Sequence, residues 1–178
     1  EKATFASGCF WCGEAIFEEL KGVISVVSGY AGSSAESGRE PSYEEVSSGK
    51  TDYAEAIQIT FDPDKISYQN LLEVFWATHD PTQLNRQGPD IGHQYRSMIF
   101  YHDENQKNLA EESKKSLEKS GEFRKPIVTE IVPLEKFYPA ESYHQNFYSH
   151  NPDTSYCQIV ISPKLEKFKK QFKDKLKK

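Results

Sequence analysis

The sequence predicts an α+β fold, a ferredoxin-like split βαβ two-layer sandwich with a long C-terminal coil and a terminal helix. Three observations predict it. Strand-like and helix-like segments follow one another in the order β-α-β-β-α-β over residues 3–101. The aromatic, turn-rich stretch from Tyr138 to Tyr156 has no regular period. Leu165, Phe168, Phe172 and Leu176 then recur at helical spacing at the end of the chain. At 178 residues with no internal repeat, one domain over 1–178 is expected, with 138–178 as a C-terminal extension.

Each element has its own signal. Residues 3–7 form a short apolar strand, and 10–20 a helix closed by Gly22. Val23 to Val27 is β-branched and runs into Gly29-Tyr30-Ala31-Gly32, a second strand. Ser33 to Ser42, rich in Ser, Gly and charge, is expected to be a surface loop, and Tyr43 to Val46 one helical turn. Glu55 to Phe61 alternates, which puts Glu55, Ile57, Ile59 and Phe61 on one face of a third strand. Ser67 caps a helix through Ala77 whose stripe is Leu71, Leu72, Phe75 and Trp76. His79 to Arg96 shows no period, and a structureless loop of that length inside a domain is usually functional. Ser97 to Tyr101 is the fourth strand, Asp103 caps a helix to Ser120 ended by Gly121, and Ile127 to Val132 is a fifth strand stopped by Pro133. Cys157 to Ile161 is a short apolar segment, and Pro163 opens the last helix. That helix is expected to dock by its apolar stripe with its lysines outward; a basic face for a membrane or an acidic partner is the other reading.

Composition narrows the function classes. A net charge of −5 argues against a general nucleic-acid binder. No apolar run reaches the roughly 18–20 residues of a membrane span, and no signal-peptide pattern is present. Three cysteines make a poor disulfide scaffold and suit reactive thiols in a reducing compartment, so the cytoplasm is expected.

The chemistry centres on Gly8-Cys9-Phe10-Trp11-Cys12-Gly13. Cys9 falls at a strand-to-helix turn, where free amides and the helix dipole favour a thiolate; a buried inert thiol is the plainer alternative. Cys9 and Cys12 form a C-x-x-C, so a thiol-disulfide oxidoreductase is one candidate. Zinc needs four ligands, and no second paired motif supplies them, so no metal is expected. Glu55 points inward on its strand, where a carboxyl tends to keep its proton and to serve as a general acid; an exposed strand end is its alternative. The loop from Gln87 to Ser97 gathers Asp90, His93, Tyr95 and Arg96, which alone is equally compatible with a solvated loop.

Taken together, Gly8-Cys9-Phe10-Trp11, Pro41 to Val46, Ala54-Glu55-Ala56, Phe75-Trp76, His79 to Thr82, Asn85 to Ser97, Phe137 to Glu141 and Tyr143-His144-Gln145 resemble the A-type peptide methionine sulfoxide reductases, colinearly over nearly the whole chain. The resemblance implies that Cys9 is the nucleophile and that Glu55 is the acid that protonates the sulfoxide oxygen. It implies that Tyr43 and Tyr95 hydrogen-bond that oxygen, that Asp90 arranges the site, and that Phe10 and Trp11 hold the S-methyl group. It further implies the S epimer of free or protein-bound methionine sulfoxide as substrate, a Cys9 sulfenic acid, a second thiol that forms a disulfide, and thioredoxin or another external dithiol as reductant, with no bound cofactor. The expected assembly is a monomer. Cys12 departs from the pattern, since many members have Gly there. Cys157 lies where such enzymes often carry the resolving cysteine and is the favoured resolver, with Cys12 as a relay thiol or a bystander. His93 is expected to be an exposed side chain. A non-enzymatic binding domain with inert cysteines is the third reading.

Overall fold

Alternation of large apolar and polar or small residues builds one mixed sheet with helices packed against it. The computed structural model describes residues 1–32 and 39–178, so most of the loop expected from Ser33 to Ser42 lies outside the described residues. In chain order the elements are β1 (Lys2–Ser7), α1 (Phe10–Phe17), β2 (Val23–Gly32), α2 (Tyr43–Ser47), β3 (Tyr53–Phe61), α3 (Tyr68–Ala77), the two-residue strands β4 (Arg86–Gln87) and β5 (Asp90–Ile91), β6 (Ser97–Tyr101), α4 (Glu104–Ser120), β7 (Glu130–Pro133), β8 (Phe137–Pro139), α5 (Phe147–His150) and α6 (Ser162–Gln171). The α+β class is borne out.

The main sheet runs β7-β6-β1-β3-β2-β8. Its neighbours are antiparallel except β6 and β7, which pair in parallel. One face carries Phe5, Ile57, Ile59 and Phe61, which pack under Ile16 and Phe17 of α1 and Leu71 and Phe75 of α3. The opposite face is built from small residues (Ala6, Ala31, Ala54 and Ala56) with Met98 and Phe100, closed over by Val132, Leu134 and Phe137. Burial of the larger aromatic and aliphatic side chains, worth about 1.5–3 kcal/mol each, is the main stabilising term.

Several boundaries differ from expectation. The first helix stops at Phe17 rather than residue 20, because Gly22 turns the chain at φ +95° straight into β2. The fifth strand covers Glu130–Pro133 instead of Ile127–Val132; Ile127 and Thr129 are buried without sheet pairing, and Pro133 fits because it ends an edge strand. The segment from His79 to Arg96 is not structureless, since β4 and β5 form a miniature hairpin followed by a single turn at His93–Tyr95. The coil after Tyr138 is ordered and opens with β8, which extends the sheet beyond β2. Cys157–Ile161 forms a wide π-type helical turn leading into α6. Leu165, Phe168 and Phe172 are buried, so the terminal helix is docked by its apolar stripe as expected. Among the described residues no helix is long and apolar enough to cross a membrane.

Candidate active site

Gly8 sets the entry to the site. Its φ of +96° turns the chain from β1 into α1, and a Cβ there would lie 2.7 Å from Cβ of Gln87. Gln87 is in turn locked across its loop, accepting the Asp80 amide at 3.0 Å and donating to the Asp80 carbonyl at 2.9 Å. The β4–β5 hairpin is thereby pressed against the turn that carries Cys9. Cys9 is the first, non-helical residue of α1, and its side chain provides no cap. Glu55 takes that role from the neighbouring sheet: the Phe10 amide donates to its carboxylate at 3.1 Å. Register places Glu55 opposite Tyr30 on β2, beneath the start of α1.

Glu55 is only 2% exposed, as the inward face of β3 requires. Burial pushes its pKa up to about 8, helped by the negative charges of Asp90 and Cys12 and opposed by the Phe10 amide. Cys9 departs from the expected thiolate. Burial, the Cys12 thiol and the charge of Glu55 hold it well above its ordinary value, outweighing the helix start. The acidified member of the pair is Cys12, lowered first by its hydrogen bond with Cys9 and further by Lys164 and Tyr156, against its burial. At neutral pH the site therefore stores protons on both Cys9 and Glu55.

The remaining residues converge from separate elements. Tyr43 opens α2, packs against His144 with the rings 4.4 Å apart and tilted by 47°, and is shifted upward by burial and by the charges of Glu55, Cys9 and Asp90. Tyr95, at the end of the His93–Tyr95 turn, is raised by burial and by Glu55, Cys9, Tyr43 and Asp90. Both phenols thus stay protonated donors facing the same charges. Asp90 accepts from the Tyr156 hydroxyl at 2.6 Å, and that hydroxyl also lies 3.9 Å from the Cys12 sulfur. Cys157 is fully buried in one apolar cluster with Cys9 and Cys12, flanked by Trp11, Tyr95, Phe147 and Tyr156. All three thiols are free. Trp11 lies flat on Phe147 at 3.6 Å and 6°, and donates its indole N–H to His144 Nδ1 at 3.1 Å. Phe10 is fully buried against Tyr30 and His144 and forms the floor.

His93 is half-buried and engaged with Asn85 at 3.3 Å. Arg96 is buried and braces the loop from beneath, donating to the carbonyls of His93 and Asp52 and pairing with the Asp52 carboxylate at 3.5 Å. Sequence reasoning missed Tyr156, His144, Phe147 and Glu14. The signals were present: Tyr156 adjoins Cys157, and Glu14 is the one charge in the apolar run Phe10–Phe17. Among the described residues no group of three or more His, Cys, Asp or Glu side chains could hold a metal ion.

An acid that keeps its proton, a thiol beside it, two phenol donors and an aromatic wall are a set of groups suited to a small, polar, oxidised group on an apolar side chain. Comparison with known proteins agrees. The family model described as peptide methionine sulfoxide reductase matches residues 1–176. A peptide methionine sulfoxide reductase MsrA from Natronomonas pharaonis is 53% identical, the match covering 98% of this chain and 96% of the relative. One from Sulfolobus acidocaldarius is 52% identical over 98% and 97%. The reduced form of Mxr1 from Saccharomyces cerevisiae superposes with a TM-score of 0.79 at 34% identity, covering 88% of each chain; the yeast protein has also been solved in complex with Trx2. The chain belongs to the peptide methionine sulfoxide reductase family.

Proposed function

We propose that this protein reduces the S epimer of methionine sulfoxide, free and in proteins, to methionine. The observation that carries the reading is the buried Glu55 carboxyl fastened to the amide directly after Cys9, with its pKa near 8. The S-methyl group rests against Phe10 and Trp11, and the oxygen lies among Glu55, Tyr43 and Tyr95 while Asp90 holds its side of the mouth. Glu55 gives its proton to the sulfoxide oxygen, which makes the sulfur electrophilic. The Cys9 sulfur attacks, the S–O bond of the substrate breaks, and a Cys9 S–O bond forms. The thiol proton replaces the one that Glu55 gave. Cys9 is oxidised by two electrons to the sulfenic acid, and methionine leaves.

Two thiols are placed to take up the sulfenic acid. Cys12 acts first, because it shares a helical turn with Cys9 and is the acidified thiol of the pair. Water leaves as the Cys9–Cys12 disulfide forms. Cys157, in the same cluster, then exchanges onto Cys12 and restores the Cys9 thiol. An external dithiol such as thioredoxin reduces the final disulfide, in a cytoplasm that keeps all three thiols reduced between turnovers.

The test is dithiothreitol-driven reduction of the separated S and R epimers by wild type, Cys9→Ser and Glu55→Gln. Turnover of S alone, abolished by Cys9→Ser, supports the reading. Reduction of insulin disulfides with no turnover of either epimer would replace it by a thiol-disulfide oxidoreductase.

A further inference from the structure

Glu14 stands out because the reaction above gives it no work. It is 2% exposed and carries the one charge on an otherwise apolar helix, a placement that is costly unless its hydrogen bonds are needed. Its carboxylate accepts the Asn146 amide at 3.0 Å. Asn146 is a left-handed corner, φ +53°, and begins α5 with no side-chain cap of its own, and its amide is held by Glu14 from a different helix. The residues around that corner form a strap tied to Trp11 and to β2. His144 accepts from the Trp11 indole, Gln145 clasps the main chain of Ser28 through its N–H at 3.0 Å and its carbonyl at 2.8 Å, and Phe147 lies flat against Trp11.

We propose that Glu14 is a positioning residue of the substrate pocket: by holding the Asn146 amide it fixes the left-handed corner and so seats Phe147 flat against Trp11, which holds the Trp11 ring in place as a wall of the pocket. This rests on the reading that Trp11 receives the methyl group of the sulfoxide. The requirement is for an acceptor oxygen at a fixed reach. Burial raises Glu14 to about 7, opposed by the Asn146 and Phe147 amides from the strap and by the Ser28 hydroxyl on β2, with Glu18, just past the end of α1, raising it further. Both its ionised and its protonated form still present an oxygen to the amide. Geometry, more than charge, is what Glu14 supplies.

The test compares Glu14→Gln, Glu14→Asp and Glu14→Ala in the full-length enzyme, with S-sulfoxide turnover split into KM and kcat. Glu14→Gln keeps the oxygen at the same reach and is expected within about threefold of wild type, whereas Glu14→Asp, one methylene short, raises KM by roughly tenfold or more with kcat little changed. Phe147→Ala reproduces that rise, and combining it with Glu14→Asp adds little, because both changes remove the same support behind Trp11. If Glu14→Ala does not fold, the order of Gln and Asp still decides. An aspartate better than the glutamine, or a Glu14→Asp/Phe147→Ala double variant whose losses multiply, would overturn the positioning role. An inactive wild type would instead overturn the proposed function itself.

Discussion

The Phe10 amide and the Glu55 carboxylate meet at 3.1 Å, which makes one hydrogen bond both the cap of α1 and the anchor of the acid beside Cys9. A neutral amide side chain can accept the same hydrogen bond but cannot give a proton. Glu55→Gln is therefore expected to leave the fold intact and to lower kcat/KM by about 10²–10⁴-fold, the usual worth of general acid catalysis. In the wild type kcat/KM should decline as pH rises through about 8, where Glu55 loses its proton. A wild-type profile flat to pH 9.5 would remove Glu55 from the acid role.

The same shift has a consequence for stability, opposite in sign to that of an ordinary salt-bridged carboxylate. Glu55 rises from an ordinary 4.5 to about 8 on burial, so the folded state holds a proton that the unfolded state releases. Its favourable contribution is complete below about pH 4.5 and is lost as pH climbs to about 8; Glu14, raised to about 7, adds a parallel loss. Thermal melts should show Glu55→Gln gaining on wild type between pH 5 and 9, by roughly 2–4 °C for each kcal/mol of relieved penalty in a chain of this size. A constant difference in Tm across that range would show that Glu55 is not buried as a neutral acid.

Tyr43 and Tyr95 are both shifted upward, so each remains a hydrogen-bond donor across the working range and neither accounts for a decline near pH 8. Removing one donor to a developing charge typically costs about 10²–10³-fold, which sets the scale expected for Tyr43→Phe and Tyr95→Phe. The loss should appear in kcat with KM little altered. A loss confined to KM would assign these phenols to ground-state binding.

How much of this was legible in the sequence follows from how each residue is held. Glu55 could be read because Ile57, Ile59 and Phe61 follow it at every second position of β3, and that period sets its inward direction. The caps at Ser67 and Asp103 could be read because capping is local, and both side chains accept from the amide three residues on. The strap from Ser142 to Phe147 could not be read. It has no period, since His144 and Phe147 are fixed by Trp11, Gln145 by Ser28 and Asn146 by Glu14, all distant in sequence. β8 was hidden for a related reason, its three residues being a strand only because Gly29 leaves room for the Tyr138 carbonyl. The thiolate expected at Cys9 failed because helix position is a sequence property, while burial and a neighbouring carboxyl are tertiary ones.

The three-thiol cluster predicts an order of disulfides. In a single turnover without reductant, Cys157→Ser should accumulate the Cys9–Cys12 bridge, and wild type should pass on to Cys12–Cys157. Cys12→Ser should form its disulfide more slowly, since the thiol acidified by Cys9 is gone. Peptide mapping under acid quench reads each species. Wild-type kinetics unchanged by Cys12→Ser would make Cys157 the sole resolver.

Gly8 offers the sharpest structural test. Two costs coincide there: a φ of +96° that side chains rarely adopt, and a Cβ 2.7 Å from Gln87. Gly8→Ala is expected to destabilise the protein by about 1–3 kcal/mol from the backbone strain, and the contact with Gln87 adds to it. The two costs can be separated. Gln87→Gly in the Gly8→Ala background removes the clash with the side chain but leaves the strain, so it should recover part of the lost activity while stability stays below that of Gln87→Gly alone. Denaturant midpoints and S-sulfoxide turnover on the four proteins close the cycle. If Gly8→Ala and Gln87→Gly prove additive in both, the hairpin and the Cys9 turn are independent, and the loop that carries Asp90 and Tyr95 is not positioned through Gly8.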